Sequence, residues 1–433
     1  MSKTLKNITG TFDILPVGSG SEGAHSDGIN AWDYVESTIR DTFAAYDFHE
    51  IRTPILEPTE LIARGVGELT DIVSKEMFAF TREDTNYVLR PEVTAPVMRA
   101  YLQHHLGQQG GVQKLFYIGP CFRAERPQKG RYRQFYQFGC EVIGADNALA
   151  DAEVIGVMTA IYRRFGMKNM QLRINTLGDE ESRPKYKQAL RDYLEPHASE
   201  LSEISKKRLE QNPLRILDTK DAKERRLLEN APKLMDFVDE ESLAHYHKVK
   251  ELLGSLDVDF VEDPLLVRGL DYYTRTAFEL ESNDLGAQSA LAGGGRYDLL
   301  AKEIGGKQAV PAVGFAAGME RLLIALQAGG VEIPAAAKPE IYLIGLGAKA
   351  SAWAIQESQR LREKGIRVAF DLKGRSLKAQ MRDANRLAAQ FVVIVGDNEL
   401  LSRTASIKNM GAGTQDNISL DGVHDFVIAQ LSS

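Results

Sequence analysis

The stretch 112–143 constrains the fold most. Two runs within it, Lys114-Leu115-Phe116-Tyr117-Ile118 and Gln134-Phe135-Tyr136-Gln137-Phe138, read as strands, the second alternating polar and aromatic residues at period two. Pro127-Gln128-Lys129-Gly130-Arg131 between them is a charged turn. A hairpin with a long basic loop follows, and a hairpin pairs its strands antiparallel. The loop carries Arg123, Arg126, Lys129, Arg131 and Arg133 against one acid, Glu125. Such a loop can be a solvated turn. Arg123 and Glu125, however, sit at the end of an apolar strand rather than at the tip. A guanidinium fork there suits bidentate phosphate binding, and the loop beyond it can meet a second polyanion.

Ahead of the hairpin, Trp32, Val35, Ile39 and Phe43 fall on one face of a helix over 28–46. Arg52-Thr53-Pro54-Ile55-Leu56 reads as a short extended segment, an edge or interface strand, because Pro54 cannot donate to a ladder and holds Thr53 extended. A helix is expected over 151–165. From about 180 to 255 charged helical sequence without strand signal suggests an inserted helical module. Strand signal resumes at Leu265-Leu266-Val267 and Ala277-Phe278-Glu279-Leu280. Small residues and two prolines mark a linker over 331–339. The sequence then alternates strand and helix, predicting strands at 341–344, 367–370 and 391–395 with helices at 349–364 and 376–389. The expected division is therefore residues 1–330, the linker, and an α/β domain over 340–433.

A net charge of −7 means that any polyanion must bind through local basic patches. Cys121 and Cys140 have neither a Cys-x-x-Cys spacing nor a nearby histidine, so buried free thiols are expected and no metal site. Residues 1–16 hold no apolar signal core, and no run reaches the roughly 18 apolar residues of a membrane span. The expectation is a cytoplasmic protein with no membrane partner.

Three further segments carry candidate chemistry. Arg268 lies in the apolar run Leu266-Val267-Arg268-Gly269-Leu270-Asp271-Tyr272-Tyr273. It is either one arm of a buried pair with Asp271 or the partner of a bound anion. Gly293-Gly294-Gly295-Arg296-Tyr297-Asp298 is an ordinary turn or a place where a ligand nears the backbone. Gly318-Met319-Glu320-Arg321-Leu322 opens a helix, placing Arg321 in its first turns, where an anion is welcome, or else on the surface. The chain has no P-loop, dinucleotide fingerprint or His-Glu-x-x-His motif, so three arginines would handle any nucleotide by another fold.

Taken in order, these segments resemble the class II aminoacyl-tRNA synthetases, and within them the histidyl-tRNA synthetase family. The helix leading to Pro54 is similar to motif 1, Phe122-Arg123-Ala124-Glu125 to motif 2, and Gly318-Met319-Glu320-Arg321 to motif 3. The 266–273 and 293–298 stretches resemble elements peculiar to the histidine enzymes. Gly10-Thr11-Phe12-Asp13-Ile14-Leu15-Pro16 and Leu89-Arg90-Pro91-Glu92-Val93-Thr94-Ala95 fit as well. One departure is Val93, where relatives often carry glycine and where a larger side chain would narrow the amino-acid pocket.

The resemblance implies an α+β fold: a class II antiparallel sheet with flanking helices, a helical insertion, and a C-terminal α/β anticodon-binding domain. It implies a homodimer that ligates L-histidine to tRNA(His) through a histidyl-adenylate, with ATP as substrate and magnesium on its phosphates. Arg123 would hold the α-phosphate, Arg268 its opposite side and the substrate carboxylate, and Arg321 the γ-phosphate. Glu125 would meet the adenine amino group. Glu141, Tyr273 and Tyr297, with Tyr272 and Val93 around them, would address the imidazole. Glu92, Thr94 and Gln137 would address the α-amino end. Arg126, Gln128 and Lys129 would meet the tRNA acceptor end, and Lys373, Arg375, Lys378 and Arg382 together the anticodon, although a solvated helix face is the better account of any one of these last four taken singly. Two rivals remain: a non-catalytic paralogue that regulates histidine biosynthesis, and an RNA-binding protein without catalysis.

Overall fold

The computed structural model describes residues 4–16, 28–67, 70–128, 130–267 and 272–432, which form two compact units dividing between Pro334 and Ala335. Arg268 and Lys129 lie outside the described residues, as do Gly269, Leu270 and Asp271.

The first unit is built on an eight-stranded sheet. Its order is His49–Glu50, Gln113–Phe122, Gln134–Ile143, Ala312–Gly318, Ala290–Arg296, Thr274–Ser282, Met170–Thr176, Phe260–Glu262. The six inner strands pair antiparallel, and each edge strand pairs parallel with its neighbour. The hairpin is longer than its sequence signal, each strand running ten residues.

Helices cover one face. Helix Ile29–Ala45 buries Trp32, Val35, Ile39 and Phe43, and the Phe43 ring stacks on Phe116 at 4.7 Å between centroids. Helix Ala148–Arg164 buries Val154, Ile155, Met158 and Ile161 in the same core. The stretch read as one helical insertion is not uniform. Helix Glu240–Ser255 packs against Ala148–Arg164 and places Tyr246, Val249 and Leu253 in this principal core. Helices Ser182–Leu194 and Glu203–Gln211 instead join a second apolar cluster that includes Val93, Tyr272 and Tyr273.

Three local expectations are corrected. Leu265-Leu266-Val267 is not a strand: the Asp263 carboxylate accepts from Leu265 N at 3.0 Å and its carbonyl from Leu266 N at 3.0 Å, a turn that Pro264 reinforces. The strand lies earlier, at Phe260–Glu262. The glycine run is not a turn but the central strand Ala290–Arg296. A Cβ on Gly294 would strike the Gly314 carbonyl and the Phe278 ring, so close sheet packing accounts for that glycine. Segment 53–55 likewise enters no ladder; the paired strand is Leu56–Pro58, in a separate three-stranded sheet.

The second unit is a five-stranded sheet ordered Val368–Phe370, Ile341–Gly345, Phe391–Val395, Thr404–Asn409, Gln415–Ser419. Its first three strands are parallel, as strand–helix alternation requires, and an antiparallel hairpin follows. It has its own core, with Ile341, Leu343, Leu361 and Val393 fully buried. Among the described residues no helix is long and apolar enough to cross a membrane.

Candidate active site

A cavity of about 440 Å³ opens on the sheet of the first unit, and the hairpin, the Ala290–Arg296 strand and the start of helix Met319–Ala328 all line it. Arg123, Arg131 and Arg321 line it together. Arg123 follows directly on the strand Gln113–Phe122. Its Nε donates to the Pro91 carbonyl at 3.0 Å, and its guanidinium lies 5.2 Å from the Phe135 ring centroid. Arg321 is the third residue of helix Met319–Ala328; its Nη1 donates to the Ala290 carbonyl at 2.9 Å and its Nε to the Gly130 carbonyl at 3.4 Å. Burial, then the Arg131 charge, lowers the Arg321 pKa from its ordinary value. Cations crowded at partly buried positions mark a site that gains from a bound anion.

Glu125 lines the cavity too, and its carboxylate accepts from Arg131 at 3.0 Å, with Arg123 at 3.9 Å. Within this arrangement Glu125 orders the cations as well as facing the cavity. Arg126 and Gln128 are exposed on the loop.

Glu92, Thr94, Gln137, Tyr272 and Tyr273 line the cavity as well. Glu92 is buried, and its two oxygens accept from Thr94 N at 2.7 Å and Ala95 N at 2.9 Å, capping helix Thr94–Gln103. Burial raises its pKa. Gln137 receives the Cys121 thiol on Oε1 at 3.4 Å. Both cysteines are buried free thiols. Val93 is 1% exposed and packs into the apolar cluster, while its neighbours Glu92 and Thr94 line the cavity.

Glu141 and Tyr297 are fully buried and are not among the residues that line the cavity. Thr94 Oγ1 donates to Glu141 Oε1 at 2.8 Å, and the Tyr297 hydroxyl donates to Oε2. Burial pushes the Glu141 carboxyl up to about 8. Gly314 stands opposite Glu141 in the register, where a Cβ would run into that carboxylate. The rings of Tyr272, Tyr273 and Tyr297 pack together with centroids 4.7, 5.5 and 6.4 Å apart.

Sequence reasoning assigned no role to several residues that the fold brings here. Glu320, 2% exposed, accepts from Tyr136 N at 2.9 and 3.1 Å, docking the Arg321 helix onto the hairpin; burial raises its carboxyl to about 8. Its signal was present, a carboxylate within an apolar helix start. Arg208 and Arg215 come from the helical stretch, and Arg215 lies 4.0 Å from Asp71; nothing in their local sequence distinguishes them. Arg296, beside Tyr297, is fully buried against Asp151 and belongs to the scaffold.

In the second unit Lys373, Lys378 and Arg382 are exposed or partly exposed on the strand–helix loop and the helix after it. Arg375 is held between Asp371 and Asp383, and its carbonyl accepts from Gln380 Nε2 at 2.7 Å. It is tied into the strand–helix loop that presents Lys373.

A family model described as histidyl-tRNA synthetase matches residues 27–322, and one described as anticodon binding domain matches 340–430. A histidine--tRNA ligase of Chloroherpeton thalassium is 52% identical over 419 residues, covering 96% of this chain and 95% of the relative. One from Protochlamydia amoebophila is 42% identical, covering 95% and 96%. The apo histidyl-tRNA synthetase structure of S. aureus superimposes with a TM-score of 0.81 at 37% identity, over 98% of this chain and 100% of that one.

Proposed function

The chain belongs to the histidyl-tRNA synthetase family, and we propose from that premise that it ligates L-histidine to tRNA(His) in two steps at this cavity. In the first, a histidine carboxylate oxygen attacks the α-phosphorus of ATP. The bond to the β-phosphate bridging oxygen breaks, pyrophosphate leaves, and histidyl-adenylate remains. In the second, a hydroxyl of the terminal tRNA ribose attacks the histidyl carbonyl carbon and AMP leaves. The observation that carries the reading is one cavity that brings Arg123, Arg131 and Arg321 together with the hydrogen-bonding groups of Glu92, Thr94 and Gln137.

Both steps need alignment and charge stabilisation more than covalent help from the protein. Arg123, braced by Pro91 and Phe135, would take charge developing on the α-phosphate. Arg321, in the first turn of its helix, suits the γ-phosphate. Arg268 is assigned the opposite side of the α-phosphate and the substrate carboxylate on the resemblance alone. Glu125 is assigned the adenine amino group, with Arg131 fixing its orientation. Magnesium would neutralise the ATP phosphates. It needs one or two carboxylates besides phosphate and water, and Glu279, which lines the cavity with Arg321, offers one.

Gln137 and the Glu92–Thr94 corner take the α-amino end. The tyrosine cluster and Glu141 behind Thr94 set the imidazole pocket. Arg126, Gln128 and Lys129 are assigned the acceptor end, and Lys373, Arg375 and Lys378 the anticodon, on the resemblance alone. A homodimer working in the cytoplasm completes the proposal.

Histidine-dependent exchange of pyrophosphate into ATP tests it. The wild type is expected to exchange only when histidine is present, and Arg123→Ala to lose about 10²- to 10³-fold in rate. No exchange from a folded wild type would favour the regulatory or RNA-binding readings.

A further inference from the structure

Arg90 is a buried cation, 5% exposed, whose hydrogen bonds run to neutral oxygens. Its Nε donates to the Pro120 carbonyl at 3.0 Å. Its Nη1 donates to the Thr53 carbonyl at 2.9 Å, the Thr53 hydroxyl at 2.8 Å and the Pro54 carbonyl at 3.4 Å. Among the described residues no carboxylate pairs with it. Burying a guanidinium without a counter-anion costs free energy, so the fold must gain from what the group holds together.

It holds three segments that are distant in sequence. The backbone completes the knot: Arg90 N donates to the Ile55 carbonyl at 2.9 Å, and Phe122 N donates to the Arg90 carbonyl at 3.0 Å. One residue further on, the Pro91 carbonyl receives Arg123 Nε at 3.0 Å. Gly119, on the hairpin strand, leaves the room that the Arg90 guanidinium fills; a Cβ there would collide with it. Segment 53–55 has no ladder partners of its own, so these bonds fix its distance from the hairpin.

We propose that Arg90 is a positioning residue for Arg123, locking segment 53–55, the 90–91 backbone and the end of strand Gln113–Phe122 into one unit that aims the Arg123 guanidinium into the cavity. The four acceptors lie on two sides of the planar fork. A lysine ammonium, a single point donor, cannot span them. Arg90 itself stays out of contact with substrate and acts through the Pro91 carbonyl and the strand end.

The inference rests on the reading of Arg123 as a phosphate contact, and the test separates the two. Steady-state exchange is measured for wild type, Arg90→Ala, Arg90→Lys, Arg123→Ala and the Arg90→Ala/Arg123→Ala double variant, with folding checked by thermal melting. Arg90→Ala is expected to lose about 10²-fold in kcat/KM for ATP, the scale of a misplaced contact. Arg90→Lys should behave the same way, and added millimolar guanidinium should restore part of the Arg90→Ala rate. The double variant should be no worse than Arg123→Ala by more than about threefold, because both changes remove one interaction. Losses that multiply in the double variant, or a folded Arg90→Ala within about threefold of wild type, overturn the proposal. Should Arg90→Ala fail to fold, Arg90→Lys alone and with Arg123→Ala decides by the same criteria. Absence of exchange in the wild type would instead remove the underlying reading of Arg123.

Discussion

Two buried carboxyl groups near the cavity set a pH dependence that composition would not suggest. Burial raises both Glu141 and Glu320 to about 8 from an ordinary 4.5. Between those values the folded chain keeps protons that the unfolded chain releases. Their contribution to stability is therefore fully present below about pH 4.5 and is lost as pH rises toward 8. Glu320→Gln keeps an acceptor for Tyr136 N and removes the titration. Its melting temperature should fall less steeply than that of wild type from about pH 5 to 8, leaving it on the order of 2–4 °C higher at the upper end. Parallel melting curves would show that Glu320 does not keep its proton in the folded state. The sequence made the arginines legible because cations inside apolar runs are costly and conspicuous. Glu320 was overlooked although it stands next to one of them. Its partner is a backbone amide 184 positions away, and no residue-type pattern records that.

At the scale of elements, the sheet is held by a buried ion pair as well as by apolar packing. Arg296 on the strand Ala290–Arg296 meets Asp151 on helix Ala148–Arg164, both fully buried, and Arg296 Nη1 also donates to the Ala145 carbonyl at 2.8 Å. Burial works against the Asp151 charge, yet Arg296 and His245 beside it hold the carboxyl down at about 2. Removing one partner strands the other. Asp151→Ala should therefore cost about 3–5 kcal/mol, measured by urea unfolding, and a loss near zero would mean that water reaches the pair. The hairpin and the helix over 28–46 were readable because period two and the 3.6-residue period each persist for several turns or pairs. Strand Ala290–Arg296 was not readable. Three consecutive glycines suggest a turn by local propensity, and only their ladders with Thr274–Ser282 and Ala312–Gly318 make them strand residues. The false strand at Leu265-Leu266-Val267 fails for the opposite reason: its side chains suit a strand, but Asp263 and Pro264 turn the backbone first.

For the whole molecule, the boundary between Pro334 and Ala335 has a functional consequence. Small residues and two prolines made that linker readable, while the Thr404–Asn409 and Gln415–Ser419 hairpin that ends the second sheet was not anticipated. Each unit buries its own apolar core, and the cavity residues all belong to the first. A chain ending at Pro334 therefore keeps Arg123, Arg321 and the Glu92–Thr94 corner in place. Adenylate formation needs nothing beyond them, so histidine-dependent exchange should remain within about tenfold of the full chain. Charging of tRNA(His) needs the second unit as well, if Lys373 and Lys378 beside the Arg375-braced loop take the anticodon arm. Every cation withdrawn from the tRNA backbone takes with it a salt-dependent share of the binding. The truncated chain should therefore show a KM for tRNA higher by about 10²-fold or more and less sensitive to salt. The comparison is internal: exchange and charging are measured on the same truncated protein. Equal losses in both would mean that residues 335–433 support the first unit structurally, and the assignment of separate tasks to the two units would fall.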